Sequence, residues 1–146
     1  MKKTADTYIS IVIFILSLLF LYTSLSKLMN IPYFRTALND SKLLRQFSPI
    51  LTYAIPLIEI ILTILFFRPA TRSLALLLSS ILLATFAAYI KYMLLYEPDL
   101  PCACGGIIKY ISWTNHFILN IVLSIASLIA YILNIRSSQT KLTYEI

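Results

Sequence analysis

Four runs of about twenty apolar residues dominate this sequence and leave little chain for anything else. The runs cover about residues 8–28, 49–67, 73–93 and 114–134, and short charged segments separate them. A helix needs about 20 apolar residues to cross a hydrocarbon core of roughly 30 Å. Only 12% of the 146 residues are charged, against about 25% in soluble domains. We therefore predict an all-α integral membrane protein, a bundle of four transmembrane helices that forms a single domain over residues 1–146.

The first run begins after Lys2 and Lys3, as the apolar region of a signal peptide would. A signal peptide's apolar region has about 7 to 15 residues and ends at a small-residue cleavage site. This run instead continues to Lys27. We therefore expect it to remain in the protein as a membrane anchor.

The segment 31–47 between the first two runs mixes apolar and basic side chains, Phe34 and Arg35 among them. Such a composition is typical of an amphipathic helix that lies in the membrane interface. Asn, Asp and Ser occupy positions 39–41, and these residue types favour turns and helix N-caps. We predict an interfacial segment that is broken into two pieces there.

The basic residues do not decide the orientation of the bundle by number alone. With the N-terminus in the cytoplasm, six basic residues lie inside and six outside. The inside set is Lys2, Lys3, Arg68, Arg72, Arg136 and Lys141, and the outside set is Lys27, Arg35, Lys42, Arg45, Lys91 and Lys109. The first span often dominates orientation, and a cysteine loop suits an oxidising compartment. We therefore predict a multi-pass protein of the bacterial inner membrane, with both termini cytoplasmic and the cysteine loop periplasmic. Basic residues scattered in this way argue against binding to nucleic acid and favour anchoring at lipid headgroups.

Small and polar residues recur along one face of each span, at the spacing of three, four or seven that a helix requires. We expect these faces to point inward, where small groups allow close packing and hydroxyls bond across helices. The four faces are Ser10, Ser17, Ser24 and Lys27; Thr52, Pro56, Glu59 and Thr63; Ser73, Ser80, Ala84 and Ala87; and His116, Asn120, Ser124, Ser127 and Tyr131.

The loop 94–113 holds Cys102 and Cys104, the two cysteines of the chain, and they are followed by Gly105 and Gly106, its two glycines. A bent Cys-Ala-Cys can bring its Cα atoms to the roughly 4.4 to 6.8 Å that a disulfide needs, but only as a constrained ring. Strained, exposed disulfides are the labile, oxidising ones. The glycines leave room for a partner's backbone or thiol.

Three interpretations of Cys102 and Cys104 stay open: a pair that exchanges disulfides, a metal clip, and two inert loop residues. A zinc site needs four ligands, and only His116, Asp99 or Glu97 is near in sequence to complete one. We therefore predict no metal site. A purely structural disulfide would stabilise little, because it closes too short a loop.

Glu59 lies deep in the second span, where an acidic side chain is costly and is usually paired or functional. Lys27, near the end of the first span, is its expected partner. Two roles for Glu59 stay open, a structural ion pair with Lys27 and a proton relay. His116, the single histidine, can hold a thiolate, shuttle its proton, or simply form an interfacial hydrogen bond. Aromatic side chains near the loop are expected to form a membrane-anchoring belt rather than a quinone site. They are Tyr92, Tyr96, Tyr110 and Trp113.

Four stretches of the sequence stand in a fixed order along the chain. They are residues 20–28 (Phe-Leu-Tyr-Thr-Ser-Leu-Ser-Lys-Leu), residues 56–59 (Pro-Leu-Ile-Glu), the Cys-x-Cys-Gly loop, and Ser112-Trp113 before the fourth span. By the order and spacing of these stretches the sequence resembles the MauE/DoxX family of redox-associated membrane proteins. Gly105 directly after Cys104 departs from the more usual Cys-x-Cys-Phe-Gly pattern of that family, and the Asn-His start of the fourth span departs from its other patterns.

The resemblance implies a role in forming disulfides in a periplasmic enzyme subunit, beside a thioredoxin-like partner, or in a membrane oxidoreductase complex linked to quinone. We therefore expect a membrane-embedded thiol-disulfide redox component that acts on a periplasmic thioredoxin-like or disulfide-containing client protein. Cys102 and Cys104 would react, and Gly105, Gly106, His116, Glu59 and Lys27 would support them. The sequence shows no cofactor fingerprint, so a quinone would act through a partner. The alternative is a noncatalytic subunit or scaffold of a larger complex.

Overall fold

A computed structural model describes residues 2–96 and 112–144 of the chain, with side chains over 3–96 and 112–137. Every regular element in these ranges is helical. The elements are α1 (Lys2–Met29), α2 (Ile31–Asp40), a short 3-10 helix (Arg45–Phe47), α3 (Ser48–Phe66), α4 (Arg72–Tyr96) and α5 (Trp113–Tyr144). Four of them, α1, α3, α4 and α5, are long and apolar enough to cross a membrane. The predicted fold class of four apolar helices in a bundle is therefore confirmed.

The helices extend beyond the apolar runs at several ends. α1 begins at Lys2, α4 continues to Tyr96, and α5 continues from residue 134 to Tyr144. A helix satisfies its backbone hydrogen bonds internally and need not stop where the hydrocarbon ends. Hydropathy therefore marks where a helix crosses lipid and not where it starts or ends.

The chain between α1 and α3 divides into two pieces, as the Asn-Asp-Ser stretch predicted. α2 ends at Asp40, and the 3-10 helix starts at Arg45. Phe34 and Leu38 of α2 are buried, whereas Arg35 is exposed. Because its apolar face packs onto the bundle, α2 closes part of one end of the molecule.

The four long helices form a ring in which α1 packs on α3 and α5, and α4 packs on α5 and α3. α4 and α5 share the most extensive contact, and α3 meets α4 over a smaller one. Four successive crossings place the start of α1, the end of α5 and the turn 67–71 at one end of the bundle, here called the turn end. α2, the end of α4 and the start of α5 lie at the other end, here called the loop end.

The turn end has a solid hydrophobic core. Phe20 and Phe66 are each 1% exposed, and their rings stack with centroids 6.5 Å apart. Leu16, Leu76 and Ala130 are fully buried in the same cluster. Residues from all four long helices therefore meet there without a large gap.

Serine hydroxyls hold α4 against α5. Ser127 Oγ donates to the Leu76 carbonyl over 2.7 Å, and Ser80 Oγ donates to the Ser124 carbonyl over 2.9 Å. These four positions are buried. Since lipid provides little hydrophobic drive between helices, close packing and hydroxyl bonds of this kind supply much of the association.

Two members of the predicted inward faces point outward instead. Ser10 is exposed and donates its hydroxyl to the Asp6 carbonyl one turn earlier, and Ala84 of α4 is also exposed. A period of 3.6 drifts off a seven-residue repeat, so Ser10 turns away from the bundle although Ser17 and Ser24 stay buried. Pro56 is buried, and α3 continues through it.

The exterior of the bundle is apolar. Phe14, Ile50, Ile64 and Val122 are each between 56% and 69% exposed. A contiguous apolar surface of this extent is not stable in water and is the normal surface of a helix in lipid. The bundle is therefore a multi-pass membrane protein whose side chains meet the bilayer directly.

Candidate functional site

An ion pair buried inside the bundle is the centre of the site. Lys27 Nζ of α1 lies 2.6 Å from Glu59 Oε1 of α3, and the two side chains are 7% and 1% exposed. The predicted partnership of Lys27 with Glu59 is therefore confirmed. Burial of either charge alone would be costly, so each residue requires the other to stay in the apolar interior.

Two aromatic rings complete the surroundings of the lysine. The Phe34 ring of α2 and the Phe86 ring of α4 have their centroids 5.8 and 6.0 Å from Lys27 Nζ. A ring face attracts a cation at this distance. The ammonium group is thus held by α1, α2, α3 and α4 together, and it joins the interfacial helix to the bundle.

The second oxygen of the carboxylate has no such partner. Glu59 Oε2 is buried and accepts no hydrogen bond from the described residues. The Thr23 hydroxyl lies close enough to interact with the carboxylate, and it also donates to the Phe20 carbonyl over 3.3 Å. A buried acceptor without a donor is uncommon and destabilising. Oε2 therefore has the capacity to accept a bond from a further group.

His116 lies on the first turns of α5, where the sequence also explains the start of the helix. Ser112 is its N-cap, since Ser112 Oγ accepts a hydrogen bond from the Asn115 backbone N–H over 3.3 Å. His116 is 7% exposed, and its carbonyl accepts from Asn120 Nδ2 over 2.8 Å. The Ser112-Trp113 motif therefore fixes where α5 begins and turns His116 inward.

A cavity of about 560 Å³ joins these polar groups. Lys27, Glu59 and His116 all line it, together with Thr23 and Asn120. Most of its wall is aliphatic or aromatic. Volumes of 300–1,000 Å³ with mainly apolar walls and a few polar groups are typical of small-molecule sites.

The cavity lies toward the loop end of the bundle. Met93 near the end of α4 and Trp113 at the start of α5 both line it, and the segment 97–111 joins these two helices in sequence. Cys102, Cys104, Gly105 and Gly106 belong to that segment and lie outside the described residues. Their predicted roles stay predictions.

The aromatic residues near the loop are only partly the lipid anchors that we expected. Tyr92 and Trp113 are half-buried and line the cavity, whereas Tyr96 is 67% exposed. Tyr110 lies outside the described residues. An interfacial position and a position on a cavity wall look alike in sequence, because both suit a large ring with one polar edge.

Sequence analysis did not identify Phe86 or Thr23 as parts of the site. One signal for Phe86 was available, since Leu83, Phe86 and Ile90 follow the helical repeat of an inward face, and all three line the cavity. Within the described ranges, no three His, Cys, Asp or Glu side chains come together as metal ligands.

A comparison with protein families gives one informative result. A family model described as methylamine utilisation protein MauE matches residues 5–133. The matched range includes the ion pair, His116 and the Cys-x-Cys segment. No curated protein and no solved structure matches the chain.

Proposed function

The chain belongs to the MauE family, and we propose on that premise that it is a membrane component of thiol-disulfide exchange. Cys102 and Cys104 would be the exchanging pair, and a thioredoxin-like protein or a disulfide-containing client would be the partner. We place this exchange in methylamine utilisation, the process that the family description names. The family match, which runs through the Cys-x-Cys segment, is the observation that carries the proposal.

The exchange proceeds by two successive thiolate attacks. A thiolate of the partner attacks one sulfur of the Cys102–Cys104 disulfide, the S–S bond breaks, and the other cysteine leaves as a thiolate. A second thiolate of the partner then attacks the mixed disulfide. The partner has lost two electrons and gained a disulfide, and Cys102 and Cys104 have become a dithiol.

The anchoring of the loop supports this role. α4 and α5 are held together by the serine hydroxyl bonds, and they begin and end the segment that carries the cysteines. Glu59, Lys27 and His116 lie at the same end of the bundle, on the cavity wall. The described ends of α4 and α5, between which the cysteines lie in sequence, are therefore fixed at one end of the bundle, as the proposed exchange with a soluble partner requires.

We also propose that the loop end is periplasmic and that both termini are cytoplasmic. The count of basic residues gave six on the cytoplasmic side and six on the periplasmic side. One of the latter, Lys27, is buried and neutralised by Glu59. It therefore does not act as a loop charge in the positive-inside rule. The comparison becomes six on the proposed cytoplasmic side against five on the other.

Trapping of a mixed disulfide tests the proposed exchange. Each of Cys102→Ser and Cys104→Ser is expressed in cells, free thiols are blocked at once with a maleimide, and membranes are separated on non-reducing gels. One of the two variants should form an adduct with a partner that disappears on reduction. The exchange is reversible, so the remaining thiolate attacks the disulfide of the oxidised partner, and the missing cysteine can no longer release the mixed disulfide.

The double variant Cys102→Ser/Cys104→Ser is the matched control and should form no adduct. If neither single variant captures a partner and the double variant supports full methylamine utilisation, the proposal is wrong and the chain is a scaffold subunit. In cells that carry the unaltered protein, after reduction, a membrane-impermeant maleimide applied from the periplasm should label both cysteines. Labelling only after lysis would contradict the proposed orientation.

A further inference from the structure

The cavity at the loop end combines an unfilled apolar volume with an unbonded carboxylate oxygen, and a bound molecule would satisfy both. Its volume is about 560 Å³, many times the roughly 30 Å³ that a water molecule occupies in the liquid. One buried oxygen on its wall, Glu59 Oε2, has no donor at hydrogen-bonding geometry among the described residues. Two requirements follow: the apolar volume needs an apolar occupant, and the carboxylate needs a donor.

The walls indicate the shape of the occupant. Phe34 and Phe86 flank the ion pair, and Phe20, Tyr89, Tyr92 and Trp113 add further rings to the lining. Aromatic side chains favour stacked or edge-to-face contact with another ring. An aliphatic chain alone would fill the space but would give Oε2 no donor. Water would give a donor but would be poorly held by the apolar wall.

The opening of the cavity lies toward the bilayer between α3 and α4. The lining residues that are also exposed are Ile58 of α3, Thr85 and Ala88 of α4, and Leu43 of the adjoining segment. α3 and α4 share a smaller contact than the other neighbouring pairs of long helices. A molecule dissolved in the membrane therefore has a lateral route to the ion pair.

We propose that this cavity binds a membrane-soluble molecule with a hydroxylated aromatic ring and an apolar tail. The ring hydroxyl donates to Glu59 Oε2, the ring packs among Phe34, Phe86 and Trp113, and the tail leaves between α3 and α4 into lipid. The site uses neither cysteine, so this binding does not depend on the proposed thiol-disulfide exchange.

Trp113 is the single tryptophan of the chain and lines the cavity, so its fluorescence reports binding at this site. The full-length protein is placed in lipid nanodiscs and titrated with a bromophenol that has an alkyl tail, since bromine quenches a nearby indole. The matched compound is the bromobenzene with the same tail. The phenol should quench Trp113 fluorescence saturably. Half-maximal quenching should need a concentration in lipid at least about tenfold lower than for the bromobenzene, as expected for a hydrogen bond to a charged acceptor.

Two variants locate the effect. Lys27→Leu/Glu59→Leu removes the acceptor without leaving a lone charge, and it should bring the two compounds to within about twofold of each other. Ala88→Phe should block the opening and weaken quenching by both. Ala84→Phe, on the same helix but exposed and outside the cavity lining, should leave quenching unchanged. Circular dichroism and gel filtration check that each variant is folded.

Three results would overturn the proposal. Equal quenching by phenol and matched bromobenzene in the unaltered protein would mean that the cavity accepts any apolar molecule. Quenching by phospholipid with brominated acyl chains that the phenol cannot relieve would make an acyl chain the occupant. Absence of saturable quenching by every compound would leave only water there. The Cys102→Ser/Cys104→Ser protein should bind the phenol normally, so loss of exchange and loss of binding are separate outcomes.

Discussion

The two ends of the bundle differ in how completely side chains fill the space between the helices. At the turn end, Leu16, Phe66 and Ala75 are at most 1% exposed and form a solid core. At the loop end, the same four helices enclose a cavity and a buried ion pair. The two ends therefore differ in packing: the turn end is a close-packed apolar core, and the loop end combines a cavity with polar groups on its wall.

The difference arises from side-chain size and charge. Serine and alanine between α4 and α5 let the backbones approach closely, as in the bond from Ser127 to the Leu76 carbonyl. At the loop end, Lys27, Glu59 and the rings of Phe34 and Phe86 occupy the interface. These groups line the cavity and leave part of the space between the helices unfilled.

Breaking the ion pair should give the largest effect at the loop end. Glu59→Leu leaves the Lys27 ammonium buried and alone, and removal of one partner of a buried pair costs about 3–5 kcal/mol. Lys27→Leu should be similarly costly, whereas the double change should recover much of the loss. Unfolding by denaturant in mild detergent, followed by circular dichroism, measures all three. If the double variant is no more stable than either single variant, the two residues do not act as a pair.

Equal truncations at the two ends should have unequal effects. Leu76→Ala removes a fully buried side chain from the solid core and should cost about 2 kcal/mol, near the low end for soluble proteins because lipid adds little transfer energy. Leu119→Ala, at the half-buried cavity wall, should cost less than about 1 kcal/mol, since part of that side chain already faces a void. Thermal unfolding in the same detergent compares them, and equal losses would mean that the loop end is as tightly packed as the turn end.

The third prediction concerns one hydroxyl in the contact between α4 and α5. Ser127→Ala removes the bond to the Leu76 carbonyl and should cost about 0.6–1.7 kcal/mol, the range for hydrogen bonds between membrane helices. Ser10→Ala is the matched control, because Ser10 is exposed and bonds only within its own helix. That change should stay within about 0.5 kcal/mol. A steric-trap or denaturant measurement that ranks Ser10→Ala above Ser127→Ala would contradict the assigned role of the α4 and α5 contact.

One physical rule made both the four spans and the ion pair predictable from the sequence. A bilayer excludes unpaired charge and unpaired backbone groups, so long apolar runs must be helices and an intramembrane acid must have a base. Glu59 had one plausible partner near its depth, and Lys27 forms the pair. A break near residues 39–41 was likewise predictable, because Asn, Asp and Ser favour such breaks, and α2 ends at Asp40.

The cavity was not predictable, because it depends on distances between helices rather than on any helix alone. Tyr92 and Trp113 have the composition of an interfacial belt, and only the packing of α4 on α5 turns them toward the ion pair. Ser10 and Ala84 were wrongly assigned to inward faces, since a helical repeat shows which residues share a side but not how far along the helix that side stays covered.

The central claim, that Cys102 and Cys104 are an exchanging pair, is tested most directly by a redox titration in native membranes. Membranes are equilibrated with thiol-disulfide buffers over a range of potentials, free thiols are alkylated with one reagent and disulfides, after reduction, with another, and both cysteines are read by mass spectrometry. We predict a single two-electron transition in which both cysteines change together, at a potential above about −300 mV, below which structural disulfides typically lie. Cysteines that titrate independently, or that stay reduced at every potential, would contradict the account.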